Sequence, residues 1–587
     1  MGMTIGRKLA CYATITAALA CSIFVLAKSK DKEDSSEVKF TARSELVLIP
    51  TLVTDKSGNH ITGLKKEDFT VLENGAEQKV ATFEEITSDA QRMTRPRNPN
   101  EFSNSLAGGS TNRRITLIVL DFINTKFADQ AYARQDLLKY LTQSVDQHEP
   151  TALYTLTRNG IQVIHDFTTD PRVLVAALHK VKGDPVQMVD SDEEVDAMAG
   201  AADGGSGATS GAGSSKGGGG SKGSGSVDSE AKGLQSMLQE ASLNFQSFEQ
   251  RVAITYTLDG MQQVAQTLAG FPGRKSLIWA SGGFPFSVSD NTMQLAPAGR
   301  DTLSDVLPLY EHTWQLLNDA QIALYPVDVK GLQNTALPSI SAPTTSASMR
   351  NPGQTYRRLS WRQMDTQGTF QTFASMTGGR AYYNSNDLVK GFRDAVNDSA
   401  EYYMLGYYLD RSQTKSGWRR LAVKVKRDHV EVRARSGFFV TNATVDPENS
   451  RNSDISSALQ SPLDYSSLAL VAIWDKIEPG KDPGKKRVNY EIHVAPDAAL
   501  IDSADHNHVV MDFVALAKTP EGKPVDHPTG QKIDVHLALE RLPAIRQQGV
   551  AYSGALDLAP GEYAVRFVVR DDLSGRIGSV AAPLKVE

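Results

Sequence analysis

Residues 114–122, RITLIVLDF, form an almost unbroken apolar run that ends in an aspartate. A strand with both faces apolar must be covered on both sides. The segment ADQAYARQDLLKYLTQSV follows, and spaces Ala131, Leu137, Leu138 and Leu141 along one face of a helix. The same alternation continues. TALYTLT and IQVIHDFT read as strands, and PRVLVAALHKV as a helix entered at Pro171. A helical pattern runs from about Glu230 to Leu268, before the strand KSLIWAS. LSDVLPLYEHTWQLLNDA, TFQTFASMTG and DLVKGFRDAVNDSAEY are helical, with IALYPVDV and RAYY as strands between them. Strands alternating with helices predict a mostly parallel sheet covered on both faces. YYMLGYYL, RRLAVKVKR and VEVRARSGFFV read as antiparallel strands at its edge.

The ends of the chain have a period of two. Residues 38–87 read as a small β domain, with Asn74-Gly75 as a hairpin signal. Residues 88–112 are polar and read as a linker. Residues 445–587 hold five alternating segments, SLALVAIWDKI to EYAVRFVVRD. Leu558-Ala559-Pro560-Gly561-Glu562-Tyr563 resembles a tyrosine corner, so an immunoglobulin-like β-sandwich is expected there. Within the central region, 113–440, an insertion at 197–228 is almost wholly small and polar and cannot bury a core. A chain of 587 residues has room for these several domains.

The first 27 residues place Arg7 and Lys8 before an apolar run, Leu9 to Ala27. This reads as a secretory signal or a membrane anchor, with Ala18-Leu19-Ala20-Cys21 resembling a lipoprotein box. Each reading puts the rest of the chain outside the cytoplasm, and a membrane contact would run only through this segment. Cys11 and Cys21 are the only cysteines, which excludes a disulfide framework and cysteine-based metal or nucleophile chemistry beyond it. The formal charge, 62 − 68 = −6, gives no basic face for nucleic acid.

GLKKEDFTVLENGAEQKVATFEE, ITLIVLDFINT, FPGRKSLIWASGGFP, ALYPVDVKGL, TGGRAYYNSNDL, EYYMLGYYLDRSQTKSGWRRLAVKVKR and VRARSGFF span about residues 40–440. Together they resemble the von Willebrand factor type A domain, most closely its acidobacterial VWFA-related family. The resemblance implies an α/β, Rossmann-like domain and an extracytoplasmic adhesion or interaction protein rather than an enzyme, with an unidentified protein as partner. It also implies a site for Mg²⁺ or another divalent cation at the strand ends, where hard cations take oxygen ligands. Asp121 matches that family's first-loop aspartate. Ile123 replaces a serine, Thr125 keeps a hydroxyl, and Asn124 offers a carbonyl one place off. Thr257, or else Thr255, matches the second-loop threonine, and Ser281 stands where a second aspartate is expected. The metal set is therefore degenerate. The alternative is that Asp121 caps the following segment through backbone N–H groups.

Other patterns carry less. Gly270 to Ser276 has the wrong spacing for a phosphate loop and leads into a strand. Residues 190–196, DSDEEVD, lack the glycine and glutamate of a calcium loop. Asp505-His506-Asn507-His508 puts two histidines on one strand face, and reads as a solvated turn or a metal pair. Tyr402, Tyr403, Tyr407 and Tyr408 read as packing residues. The long insertion at 334–357 names no ligand. The leading expectation is partner recognition at the strand ends around Asp121. The other is an envelope scaffold in which the carboxyl-terminal sandwich makes the contacts.

Overall fold

The computed structural model describes residues 44–87, 100–105, 115–143, 149–183, 225–289, 292–294, 303–331, 366–398, 401–410, 414–440, 447–480, 482–496, 508–538, 540 and 542–587. The segments at 1–27, 190–196, 334–357 and 505–507, and nearly all of the 197–228 insertion, lie outside them. Residues 45–409 and 413–587 form one compact unit; the other, 1–44 with 410–412, is described only at Ser44 and Asp410.

The expectation of an α/β, Rossmann-like chain is corrected. The described chain is mostly β, and its sheets are mostly antiparallel. There are five sheets of four or five strands and one two-stranded ribbon among the described residues. Parallel pairing occurs at three strand interfaces, all in the five-stranded sheet. The physical reason lies at the two ends of the chain. Their strands run from three to eleven residues and pair with antiparallel neighbours.

That five-stranded sheet contains β1 (Thr116–Asp121), β2 (Thr151–Thr157), β3 (Gly160–Thr168), β4 (Lys275–Ser281) and β5 (Ile322–Asp328), in the order β5-β4-β1-β2-β3. It is mixed, since β3 runs antiparallel to β2. Every residue of β1, β4 and β5 is buried, as their apolar runs require. The helices near it are α1 (Phe127–Gln143), α2 (Pro171–Leu178), α3 (Gly225–Leu268), α4 (Leu303–Asp319), α5 (366–377) and α6 (Leu388–Asn397). Leu117 and Val119 join an apolar cluster with Leu258 and Met261 of α3 and Trp314 of α4. Ile118 and Leu120 join a second, with Leu137 of α1, Leu174 of α2 and Phe392 of α6. Each such buried side chain contributes about 1.5–3 kcal/mol, so β1 is anchored from both directions. Pro171 starts α2, and Asp170 caps it by accepting from the Arg172 N–H at 3.0 Å.

The segments read as an edge of the central sheet have other partners. Tyr402–Asp410 pairs with Thr82–Ile86, and Gly417–Val425 pairs with Phe69–Glu73. Residues 44–86 and 402–440 therefore share one core, which includes Val71, Tyr403 and Tyr407. Asn74 and Gly75 take φ of 49° and 86° and close the hairpin their sequence predicts. At the opposite end, two four-stranded antiparallel sheets enclose a core with Tyr490, Phe513 and Phe567. Glu101–Ser103, inside the expected linker, adds an edge strand to one of them. Pro447–Gln460, inside the expected sandwich, is a helix. The Tyr563 hydroxyl donates to the Ala559 carbonyl at 2.9 Å. No helix among the described residues is long and apolar enough to cross a membrane.

Candidate functional site

The carboxyl ends of β1 and β4 sit side by side, with Leu120 opposite Ala280. This register brings Asp121 and Ser281 together at the carboxyl end of the sheet. The chain then turns through Phe122 to Lys126 before α1 begins. Phe122 N–H donates to the Leu156 carbonyl at 2.9 Å, which holds the start of that turn against β2. Gln130 of α1 donates to the carbonyls of Phe122 and Thr125, at 3.1 and 2.9 Å.

The five residues singled out in the sequence meet here. Asp121 Oδ2 accepts from Asn124 Nδ2 at 2.8 Å, Ser281 Oγ at 2.9 Å and Trp279 Nε1 at 3.0 Å. Its Oδ1 accepts from the Asn124 backbone N–H at 3.1 Å. Asn124 Nδ2 also donates to Thr257 Oγ1 at 2.9 Å, and Thr257 donates in turn to the Ala253 carbonyl of its own helix. Thr125 Oγ1 accepts from the Gly282 N–H at 2.9 Å. Thr255 stays apart: it is exposed, and its hydroxyl bonds only its own helix at Arg251.

All five are buried, with Asp121, Thr257 and Ser281 at 0% exposure. Burial pushes the Asp121 carboxyl up from its ordinary range, while its hydrogen bonds to Asn124, Trp279 and Ser281 pull it back. Gly282 is required by closeness. A Cβ there would stand 2.9 Å from the Asn124 carbonyl oxygen.

A divalent cation of the Mg²⁺ kind needs about six oxygen ligands with lone pairs turned toward it. Both oxygens of Asp121 instead face N–H or O–H groups. Ile123 lies in the apolar core at 0% exposure and offers nothing. Ser281 Oγ donates to Asp121 and lies 2.5 Å from the Gly283 carbonyl. Asn124 Oδ1 is the oxygen left over, buried and without a partner among the described residues. One satisfied carboxylate and one spare amide oxygen do not fit a divalent cation. The arrangement is a polar clamp between β1, β4 and α3. Its Asn124 N–H bond is the capping contact weighed as the alternative, and three side-chain donors extend it.

Trp279 is the member that sequence reasoning missed. An indole inside an apolar strand reads as core, and only the register of β1 against β4 shows that its N–H reaches Asp121. Asp328 was missed as well. It ends β5 as Asp121 ends β1, an apolar run closing in an aspartate, and it pairs in register with Ser281. That repeated ending was the available signal.

The remaining candidates fall elsewhere. Residues 270–274 form a turn into β4, and the Arg274 and Lys275 side chains are buried, not turned to a ligand. His508 stacks on His536 across two strands, with ring centroids 4.2 Å apart, and bonds Asp534 at 2.9 Å. Tyr402, Tyr403 and Tyr407 are buried, whereas Tyr408 is exposed. Among the described residues no group of three His, Cys, Asp or Glu side chains is placed to hold a metal ion. Comparison with protein-family models and with curated proteins finds no match.

Proposed function

We propose that this chain is an extracytoplasmic, non-enzymatic interaction protein. In this reading the Asp121 cluster is an internal clamp, and the loop surface it holds makes the contacts. The observation that carries the reading is the closure of the cluster. Asp121 spends both oxygens on protein donors and is fully buried, so it orders loops and does not touch a ligand. The clamped backbone emerges directly at Lys126 and Phe127, and Phe127 is 49% exposed. A loop fixed in advance loses less entropy when it binds. The sequence resemblance to von Willebrand A-related proteins supports an interaction role, and the signal-like first 27 residues support an extracytoplasmic location.

A second reading, an envelope scaffold contacting its neighbours through the carboxyl-terminal sheets, is favoured by one observation. Thr529–His536 is an edge strand whose residues are nearly all exposed, and such edges accept further strands. A photo-crosslinking residue placed at Phe127, and separately at Val535, separates the two in the native host. The first reading predicts a discrete adduct from position 127. Adducts from 535 alone would favour the scaffold, and a chain retained in the cytoplasm would defeat both.

A further inference from the structure

Beside the clamp, between β5 and α6, a cleft of about 190 Å³ opens at the carboxyl end of the sheet. Its lining includes Asp328, Tyr382, Tyr383, Asp387, Lys390 and Asp394. Asp328 is its distinctive group. The residue is 3% exposed, yet it is part of the cleft's lining. Its Oδ1 accepts from the Lys330 backbone N–H at 3.0 Å, and no hydrogen bond among the described residues reaches Oδ2. A carboxylate held this far from water is costly unless a counter-charge joins it.

Lys330 puts one favourable charge near Asp328, but no ion pair joins the two among the described residues, and the cleft wall adds no free cation. Lys390 Nζ is engaged by Asp394 at 2.6 Å, and Asp387 caps α6 by accepting from the Lys390 backbone N–H at 2.9 Å. Three carboxylates and one ammonium thus line the cleft, with Lys330 as the second ammonium close by. The carboxylates do not converge on one point as metal ligands do. The cleft is smaller than the roughly 300–1,000 Å³ of pockets for drug-sized ligands, so it suits one side-chain-sized group. Tyr382 and Tyr383 add aromatic surface, and rings beside a carboxylate are a setting that binds organic cations.

We infer that this cleft recognises a single organic cation, a primary ammonium or a guanidinium group, with Asp328 as its counter-ion. The inference deepens the interaction reading and rests on it, because it gives the strand-end surface a ligand chemistry. The cation could be a free amine or a lysine or arginine side chain on a partner.

The test is calorimetric titration of the full chain with four probes. These are N-acetyl-lysine methylamide, N-acetyl-arginine methylamide, the neutral N-acetyl-norleucine methylamide, and butylamine. The expected result is saturable binding of the cationic probes and none of the norleucine probe. Asp328→Asn, which keeps shape and the bond to Lys330, should weaken binding at least tenfold. Asp387→Asn, still a good helix cap, should weaken it two- to threefold. Tighter binding of the amino-acid probes than of butylamine assigns a partner side chain, and the reverse order assigns a free amine. Equal binding of the norleucine probe, unchanged affinity in Asp328→Asn, or no binding of any cation to the wild type overturns the inference. Crosslinking from Phe127 remains independent of these results, so the loss of this ligand is distinguishable from the loss of the interaction surface.

Discussion

Replacing Asp121 by alanine removes the acceptor of four hydrogen bonds, and the structure says which donors are then stranded. Ser281 Oγ still has the Gly283 carbonyl, and Asn124 Nδ2 still has Thr257. Trp279 Nε1–H and the Asn124 backbone N–H have no second acceptor among the contacts described for them. A buried orphan costs about 1–3 kcal/mol, so two cost roughly 2–6. Part is regained, because a buried carboxylate no longer has to be desolvated. A net loss of about 3 kcal/mol in local stability follows from these magnitudes. The chain has several cores and a global unfolding midpoint would mix them, so native-state hydrogen exchange is the suitable assay. Peptides covering residues 116–125 and 275–283 should lose roughly a hundredfold in protection, since each 1.4 kcal/mol is tenfold. Thr255→Ala, which removes an exposed hydroxyl bonded only within its helix, should change nothing measurable. Protection within threefold of wild type in Asp121→Ala would refute the clamp.

Other predictions concern buried groups nearby. Lys275 is 2% exposed, donates to the Ala320 carbonyl at 2.6 Å, and burial pulls its ammonium from 10.5 down to about 7. A base lowered on folding contributes stability that is present above its unfolded pKa and lost as pH falls toward its folded one. Stability should therefore rise between pH 7 and about 10.5, and Lys275→Met should flatten that slope, with a gain at pH 7 of at most roughly 5 kcal/mol; matched thermal melts across this range check it. Asp398 pairs with Arg433 and accepts from the Tyr325 hydroxyl at 2.8 Å. Asp398→Ala should cost about 1.5–3 kcal/mol by leaving a partly buried guanidinium unpaired, read by urea unfolding. Gly282→Ala drives a methyl to 2.9 Å from the Asn124 carbonyl and should cost about 1–3 kcal/mol by overpacking, seen as faster exchange in residues 116–125.

What the sequence disclosed was local. The run ending in Asp121 showed a buried strand, Asn74-Gly75 showed a hairpin, and only the resemblance to A domains put Ser281 with Asp121. The class of the whole chain was not legible, because the antiparallel pairs that set it are remote. Tyr402–Asp410 meets Thr82–Ile86, and Gly417–Val425 meets Phe69–Glu73, across more than 300 residues. Periodicity reports how a segment is buried, not which strand lies beside it. The same limit hid Trp279, whose role depends on an indole N–H reaching across to the end of a neighbouring strand. The first-loop residues were found by position, but a spacing of oxygen-bearing residues cannot tell lone pairs turned to a cation from lone pairs filled by donors.

That difference is the centre of the account, and titration calorimetry reads it directly. Mg²⁺, Mn²⁺ and Ca²⁺ would be titrated into the full chain, with Asp121→Ala alongside. The clamp predicts that wild type and variant give the same heats, with no saturable event that depends on Asp121. A saturable event in the wild type that disappears in Asp121→Ala would contradict it, and would mean that the donors around this carboxylate give way to a cation.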